Sequence, residues 1–72
     1  MAIRTYETGD EKFVIRMSGT PSVNGTAWEV LSVLRGSEEI PVPGLDSIVA
    51  STDDVAYARA CDCIDKFLAS RS

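Results

Sequence analysis

STDDVAYARACDCIDKFLAS, residues 51–70, is the longest segment of the chain in which apolar side chains recur at a regular spacing. On a helix with 3.6 residues per turn, its small and apolar side chains share one narrow arc, and its charged side chains face away. The arc consists of Ala56, Ala60, Cys63, Ile64 and Phe67, with Tyr57 and Leu68 at its edges. The outward charged residues are Arg59, Asp62, Asp65 and Lys66. This pattern predicts an amphipathic helix over residues 53–69 with one face packed on the rest of the fold.

The start of this helix carries capping signals. Ser51 or Thr52 offers a side-chain oxygen that can accept from the free N–H groups of the first turn. Asp53 and Asp54 follow directly, and their negative charge is favoured at the positive end of the helix dipole. The capping signals therefore predict a helix that begins at about residue 53.

A β-hairpin is predicted near the N-terminus. Residues 4–8 and 12–18 are rich in strand-forming side chains, and Gly9 and Asp10 lie between them as a turn. In the second strand, Phe13, Ile15 and Met17 share the face that suits a core. The opposite face of that strand carries Lys12, Val14 and Arg16. Residues 18–26, with two Gly, one Pro and one Asn, predict a surface loop.

Residues 26–36 fit two structures. Thr26 and Glu29 form a capping box and Gly36 suits a helix C-terminus, which favours a short helix. The Trp and Val content favours a strand, and so does Gly36-Ser37, which can form a two-residue turn into residues 38–42. We predict a strand, although a helix stays open at this stage.

The segment before the helix contains two closely spaced prolines. Pro41 and Pro43 lack N–H groups on the same side of an extended chain, so residues 38–42 are predicted to form an edge strand. The chain then crosses to the helix, with Ile48 and Val49 as expected packing contacts. The whole pattern predicts an α+β fold, in which an antiparallel meander of three or four strands packs on one C-terminal helix.

The helix pattern resembles that of small uncharacterised bacterial single-domain proteins in which a strand meander precedes one C-terminal helix. The matching residues are Thr52, Asp53, Asp54, Ala56, Ala60, Ile64 and Asp65. The resemblance covers the last third of the chain. It implies an antiparallel sheet backed by one helix, and it implies no particular activity.

Size and charge restrict the classes of function. The 72 residues predict a single domain with a small core, for which a net stability of roughly 5 kcal/mol or less is typical. A net charge of −4 disfavours nucleic acids and anionic membranes as partners, because both attract concentrated positive charge. Without a signal-like or membrane-spanning apolar run, we expect a cytoplasmic protein.

The sequence offers few candidates for catalysis, so we expect no enzyme, metal site or cofactor. The chain has no histidine, the commonest general base. Cys61 and Cys63 point about 160° apart on a helix, which prevents them from sharing one ion or closing a disulfide easily. Cys63 is interpreted as a buried core residue, whereas Cys61 lies at the edge of the apolar arc and is the one candidate for a reactive thiol.

The strand at residues 26–36 is apolar on both faces, and a single helix cannot cover both. The side chains expected to face the helix are Trp28, Val30 and Leu34. The side chains expected to face outward, and hence to form an interaction surface, are Val14, Leu31 and Val33. Such a patch typically marks a protein partner or a second copy of the chain. The alternatives are that residues 18–26 fold over it or that the segment is a helix.

Nucleic-acid binding is the alternative function. Lys12, Arg16 and Arg35 are expected to project from one sheet face and form a modest basic patch. Glu29 on the same face, the acidic total and the absence of an aromatic stacking platform weigh against this function.

Overall fold

The computed structural model describes residues 2–71, which form an antiparallel sheet with one helix packed on one face. The strands are β1 (Ala2–Thr8), β2 (Glu11–Ser22), β3 (Gly25–Arg35), β4 (Glu38–Ile40) and β5 (Val49–Ala50), and the helix is α1 (Asp53–Arg71). A short 3₁₀ helix (Leu45–Ser47) lies between β4 and β5. The predicted α+β meander on a C-terminal helix is confirmed, and residues 26–35 are in a strand, as preferred over a helix.

β3 is the central strand because it pairs with three others. β1, β2, β3 and β4 follow one another in the sheet, and β5 also pairs with β3. β2 lines one edge of β3, so β4 and β5 share the other edge. The predicted edge strand is shorter than expected and ends at Ile40, immediately before Pro41. The segment between β4 and β5 leaves the sheet and passes beside α1.

The turns at Gly9 and Gly36 are confirmed, and both glycines have positive φ angles, 59° and 66°. The predicted loop at residues 18–26 is wrong, because β2 and β3 continue as a hairpin almost to its tip. Gly19 is needed for packing rather than for a turn: a Cβ at this position would lie 3.0 Å from the Trp28 ring. The glycine that suggested a loop therefore accommodates a side chain of the neighbouring strand.

The core lies between α1 and the sheet. Ala56, Ala60 and Ile64, three residues of the predicted apolar arc of the helix, are fully buried. We call these three residues the helix stripe. The buried apolar residues are Phe13, Ile15, Met17, Val30, Val33, Ile40, Val42, Ile48, Ala50, Ala56, Ala60 and Ile64. Because alanine side chains are small, the helix backbone lies close to the large side chains of β2. The flanks of the stripe, including both cysteines, are only partly buried, so the expectation that Cys63 is fully buried is wrong.

A β-bulge in β3 changes which side chains face the helix. Ile15 pairs with Val33 and Met17 with Val30, so Leu31 is an extra residue on β3. The bulge turns Val33 toward α1, where it is fully buried. Leu34 pairs with Val14 and lies on the opposite face. The predictions that Val33 faces outward and Leu34 inward are therefore wrong.

The segment that leads into α1 has the predicted helix cap, but one of its side chains does not pack on the core as predicted. The Val55 N–H donates to Thr52 Oγ1 at 3.2 Å, which identifies Thr52 as the N-cap. Val49, predicted to pack on the core, is 53% exposed. The reason is strand alternation: Ala50 of β5 is buried, so its neighbour Val49 faces the other side of the sheet.

We expect the helix stripe to dominate stability. Ile64→Val should lower the free energy of unfolding by about 1 kcal/mol, because it removes one methylene from a fully buried site. Val55→Ala is the matched control on the same helix, and it should change stability by less than about 0.5 kcal/mol because Val55 is exposed. Urea unfolding followed by Trp28 fluorescence measures both changes, and equal effects of the two substitutions would contradict the assigned packing.

Candidate functional site

The face of the sheet opposite α1 carries apolar side chains that nothing in the described chain covers. We call this surface the open face. Its most exposed large apolar residues are Ile3, Leu31 and Val49, at 62%, 49% and 53%. Val14 and Leu34, a cross-strand pair on the same face, are half-buried. Apolar residues of β1, β2, β3 and β5 thus contribute to one surface.

The residues predicted for an interaction surface are only partly brought together. Val14 and Leu31 lie on the open face, whereas Val33 lies in the core. Three residues that the sequence reasoning did not assign to this face, Ile3, Leu34 and Val49, are found on it. The alternation of side chains along β1 would have placed Ile3 on this face once its pairing with Arg16 was known.

Charged residues of both signs lie among these apolar groups. Lys12 pairs with Glu7 across β1 and β2, and Arg16 pairs with Ile3. Glu29 pairs with Val49, and Glu39 of β4 pairs with Leu34. The open face therefore carries two cations and three carboxylates, the charge-bearing residues being Glu7, Lys12, Arg16, Glu29 and Glu39.

Arg35 does not join Lys12 and Arg16, contrary to expectation. It pairs with Phe13 on the face toward α1, and its Nη1 contacts Glu11 Oε1 at 2.9 Å. The same β-bulge that buries Val33 moves Arg35 to this side. The predicted basic patch is thereby reduced to two residues.

The bulge also leaves one polar atom without a partner. Ser32 is 8% exposed, and its Oγ is the one buried side-chain oxygen or nitrogen of the described residues without a hydrogen bond. Its register partner on β2 is Arg16. A buried hydroxyl without a hydrogen bond costs about 1–3 kcal/mol.

A cluster of polar and aromatic side chains, which we call the tyrosine cluster, joins β1 to α1. The Arg4 Nη1 contacts Asp54 Oδ1 at 2.6 Å, and its guanidinium carbon lies 4.2 Å from the centre of the Tyr57 ring. The Tyr57 hydroxyl donates to the Thr5 carbonyl at 2.7 Å. These contacts attach an edge strand to the helix through a salt bridge, a cation–π contact and a hydrogen bond.

Tyr6 extends this cluster along the helix. Its ring meets Tyr57 edge to face with centroids 6.5 Å apart, and its hydroxyl donates to Asp65 Oδ1 at 2.7 Å. Sequence reasoning missed the cluster, although Arg4 and Tyr6 are two apart on β1 and therefore share a face. Their helix partners could be identified only after the strand was docked.

The cluster favours the protonated form of its two tyrosines. The hydrogen bond to Asp65 raises the pKa of Tyr6 above its ordinary value, because phenolate formation would break it. Burial raises the pKa of Tyr57 and, nearby, that of the Cys61 thiol. A raised pKa reduces the thiolate fraction at neutral pH, which disfavours Cys61 as a reactive nucleophile.

No protein family, curated protein or solved structure matches the chain. The resemblance of its helix to small bacterial domains therefore stays a prediction. Within residues 2–71, no helix is both long and apolar enough to cross a membrane, and no group of three or more Cys, Asp or Glu side chains is arranged to hold a metal ion.

The tyrosine cluster predicts loss of stability at alkaline pH. The folded-state pKa of Tyr6 and Tyr57 is raised, so their stabilising contribution is complete below the unfolded pKa of about 10 and is lost as the pH rises above it. Denaturant unfolding at pH 8 to 11 should show a falling free energy of unfolding above pH 10. Tyr6→Phe should be less stable at pH 8 and should lose less stability above pH 10. Equal slopes for the two proteins would show that the Tyr6–Asp65 bond is not the cause.

Proposed function

We propose that this protein is a small non-catalytic interaction module that forms a homodimer through the open face. The observation that carries this proposal is the set of exposed apolar side chains opposite the helix, above all Ile3, Leu31 and Val49. Apolar surface is favourable to bury, and a patch contributed by several strands offers a continuous area rather than isolated contacts.

The dimensions of the molecule allow such an interface. It measures 42 × 21 × 17 Å, and the two longer dimensions match the length of β2 and β3 and the width of the sheet. These two dimensions give this side of the molecule a projected area of at most about 900 Å², part of which belongs to the β2–β3 hairpin tip, against roughly 800 Å² per partner in a standard stable interface. A second copy is therefore an occupant of suitable size.

The charge pattern favours a copy of the same chain over a nucleic acid. In a two-fold dimer the same surface meets itself, so a face with cations and carboxylates can place opposite charges against each other. Lys12 and Arg16 can approach Glu7, Glu29 or Glu39 of a second copy. A polyanion would meet these three carboxylates on the same face. Arg35 lies on the face toward α1 and therefore does not offset their charge.

Dimerisation would also supplement a small core. Among the described residues, twelve apolar side chains are buried, three of them alanine. Association that occurs only in the folded state stabilises that state by mass action, in proportion to the logarithm of protein concentration over the dissociation constant. A domain of this size gains more from such support than a large one.

Self-association can be tested by sedimentation velocity between about 5 and 500 µM. We expect the wild type to shift from monomer toward dimer as concentration rises. Leu31→Glu should weaken this association at least about tenfold, because it places a charge in the centre of the apolar surface. Val23→Glu is the control, since Val23 is fully exposed at the tip of the β2–β3 hairpin, away from the open face.

A strict monomer at the highest concentration would overturn the proposal, and so would an equal loss of dimer in both variants. A titration with mixed oligonucleotides at about 50 mM salt tests the alternative function. If the protein binds them with an affinity that falls steeply with salt and depends on Lys12 and Arg16, the nucleic-acid function replaces the dimer.

A further inference from the structure

A groove runs along one flank of α1, where the segment between β4 and β5 passes beside the helix. A cavity of about 420 Å³ opens between Pro43 and Phe67 and continues into a second space of about 270 Å³ next to Ile48. Gly44 and Cys63 line both spaces. Because the two spaces share these residues, we treat them as one site, the helix groove.

Gly44 lies in the wall of the helix groove. Its φ angle is 86°, which favours glycine, and a Cβ at this position would lie 3.6 Å from Cys63 Sγ. The chain thus crosses close to the helix without filling the space beside it. A volume of about 420 Å³ falls within the usual range for small-molecule sites.

The walls of the helix groove are apolar, and its rim carries excess positive charge. Pro43, Phe67 and Cys63 form the apolar walls. Lys66 borders both spaces, and Arg59 and Asp62 border the second, so cations outnumber carboxylates by one in a chain whose net charge is −4. Within the described chain, no ion pair of four ångströms or less holds the Lys66 ammonium.

We propose that the helix groove binds a small amphipathic anion, a carboxylate- or sulfonate-bearing molecule with an aromatic or aliphatic body. The body would lie between Pro43 and Phe67, where burial of apolar surface supplies affinity. The acid group would contact Lys66, with Arg59 beyond it, where a charge-assisted contact orients the ligand. Volume, apolar walls and charge agree on this class of molecule.

This site is separate from the proposed dimer. The open face belongs to the side of the sheet away from α1, whereas the helix groove is bounded by α1 and the segment at residues 43–48. Leu31→Glu, which tests the dimer, should therefore leave ligand binding in the groove unchanged. The two proposals can fail independently.

The two cysteines allow a site-specific test. Cys63 lies in the helix groove, and Cys61, two positions earlier, points about 160° away on the helix. In Cys61→Ser, which keeps only the groove thiol, 8-anilinonaphthalene-1-sulfonate should slow alkylation of Cys63 at least about threefold. In Cys63→Ser, which keeps only the opposite thiol, the same probe should leave the alkylation rate of Cys61 unchanged.

The charge requirement is tested with a matched pair of probes. Lys66→Met keeps most of the side-chain stem and removes the ammonium, so it should weaken protection by the sulfonate about three- to fivefold. Protection by N-phenyl-1-naphthylamine, which has the same aromatic body without the acid, should be unchanged. The proposal is overturned if the sulfonate does not protect Cys63 or protects both thiols equally. It is also overturned if Lys66→Met affects both probes equally, or if Leu31→Glu abolishes protection.

Discussion

The close contact between a helix with small alanine side chains and a sheet with large side chains determines which face of the sheet is buried and which is left open. Ala56 and Ala60 let α1 approach β2, and Phe13, Ile15 and Met17 fill the space beneath it. A helix that approaches this closely buries one side of the sheet and leaves the other unshielded. The open face is therefore a direct result of how the core is built, and it carries both apolar and charged groups.

The parts of the fold that depend on local chemistry could be predicted from the sequence. The helix follows from its apolar period and its Thr52 cap, and two hairpin turns follow from Gly9 and Gly36. The strand at residues 25–35 follows from its Trp and Val content and from the Gly36-Ser37 turn after it. These features need only information carried by adjacent residues.

The candidate site was predicted less well, and one residue accounts for most of the error. Leu31 is inserted as a bulge, which reverses the alternation for the rest of β3. Val33 and Arg35, one from each predicted site, both turn toward α1 for this reason. Nothing in the sequence around Leu31 marks a bulge, because the register depends on the partner strand and on core packing.

The tyrosine cluster and the helix groove could not be predicted for a different reason. Arg4 and Asp54 are separated by 50 residues in sequence, and Tyr6 and Asp65 by 59. Their meeting depends on the position at which β1 docks beside α1. The groove likewise needs the β4–β5 segment to pass the helix at Gly44, which neither segment specifies alone.

Three positions along the outer strands of the sheet are obstacles to further strand pairing. On β1, the Thr5 carbonyl is already occupied by Tyr57. The part of β2 that extends beyond the last residue paired with β1 contains Pro21, and Pro41 follows β4, so neither proline offers an N–H to an added strand. Edge-to-edge addition, the route to open-ended fibres, is thereby hindered at these positions. In the proposed dimer, by contrast, two copies would meet through a broad face, where two-fold contact closes on itself and ends growth.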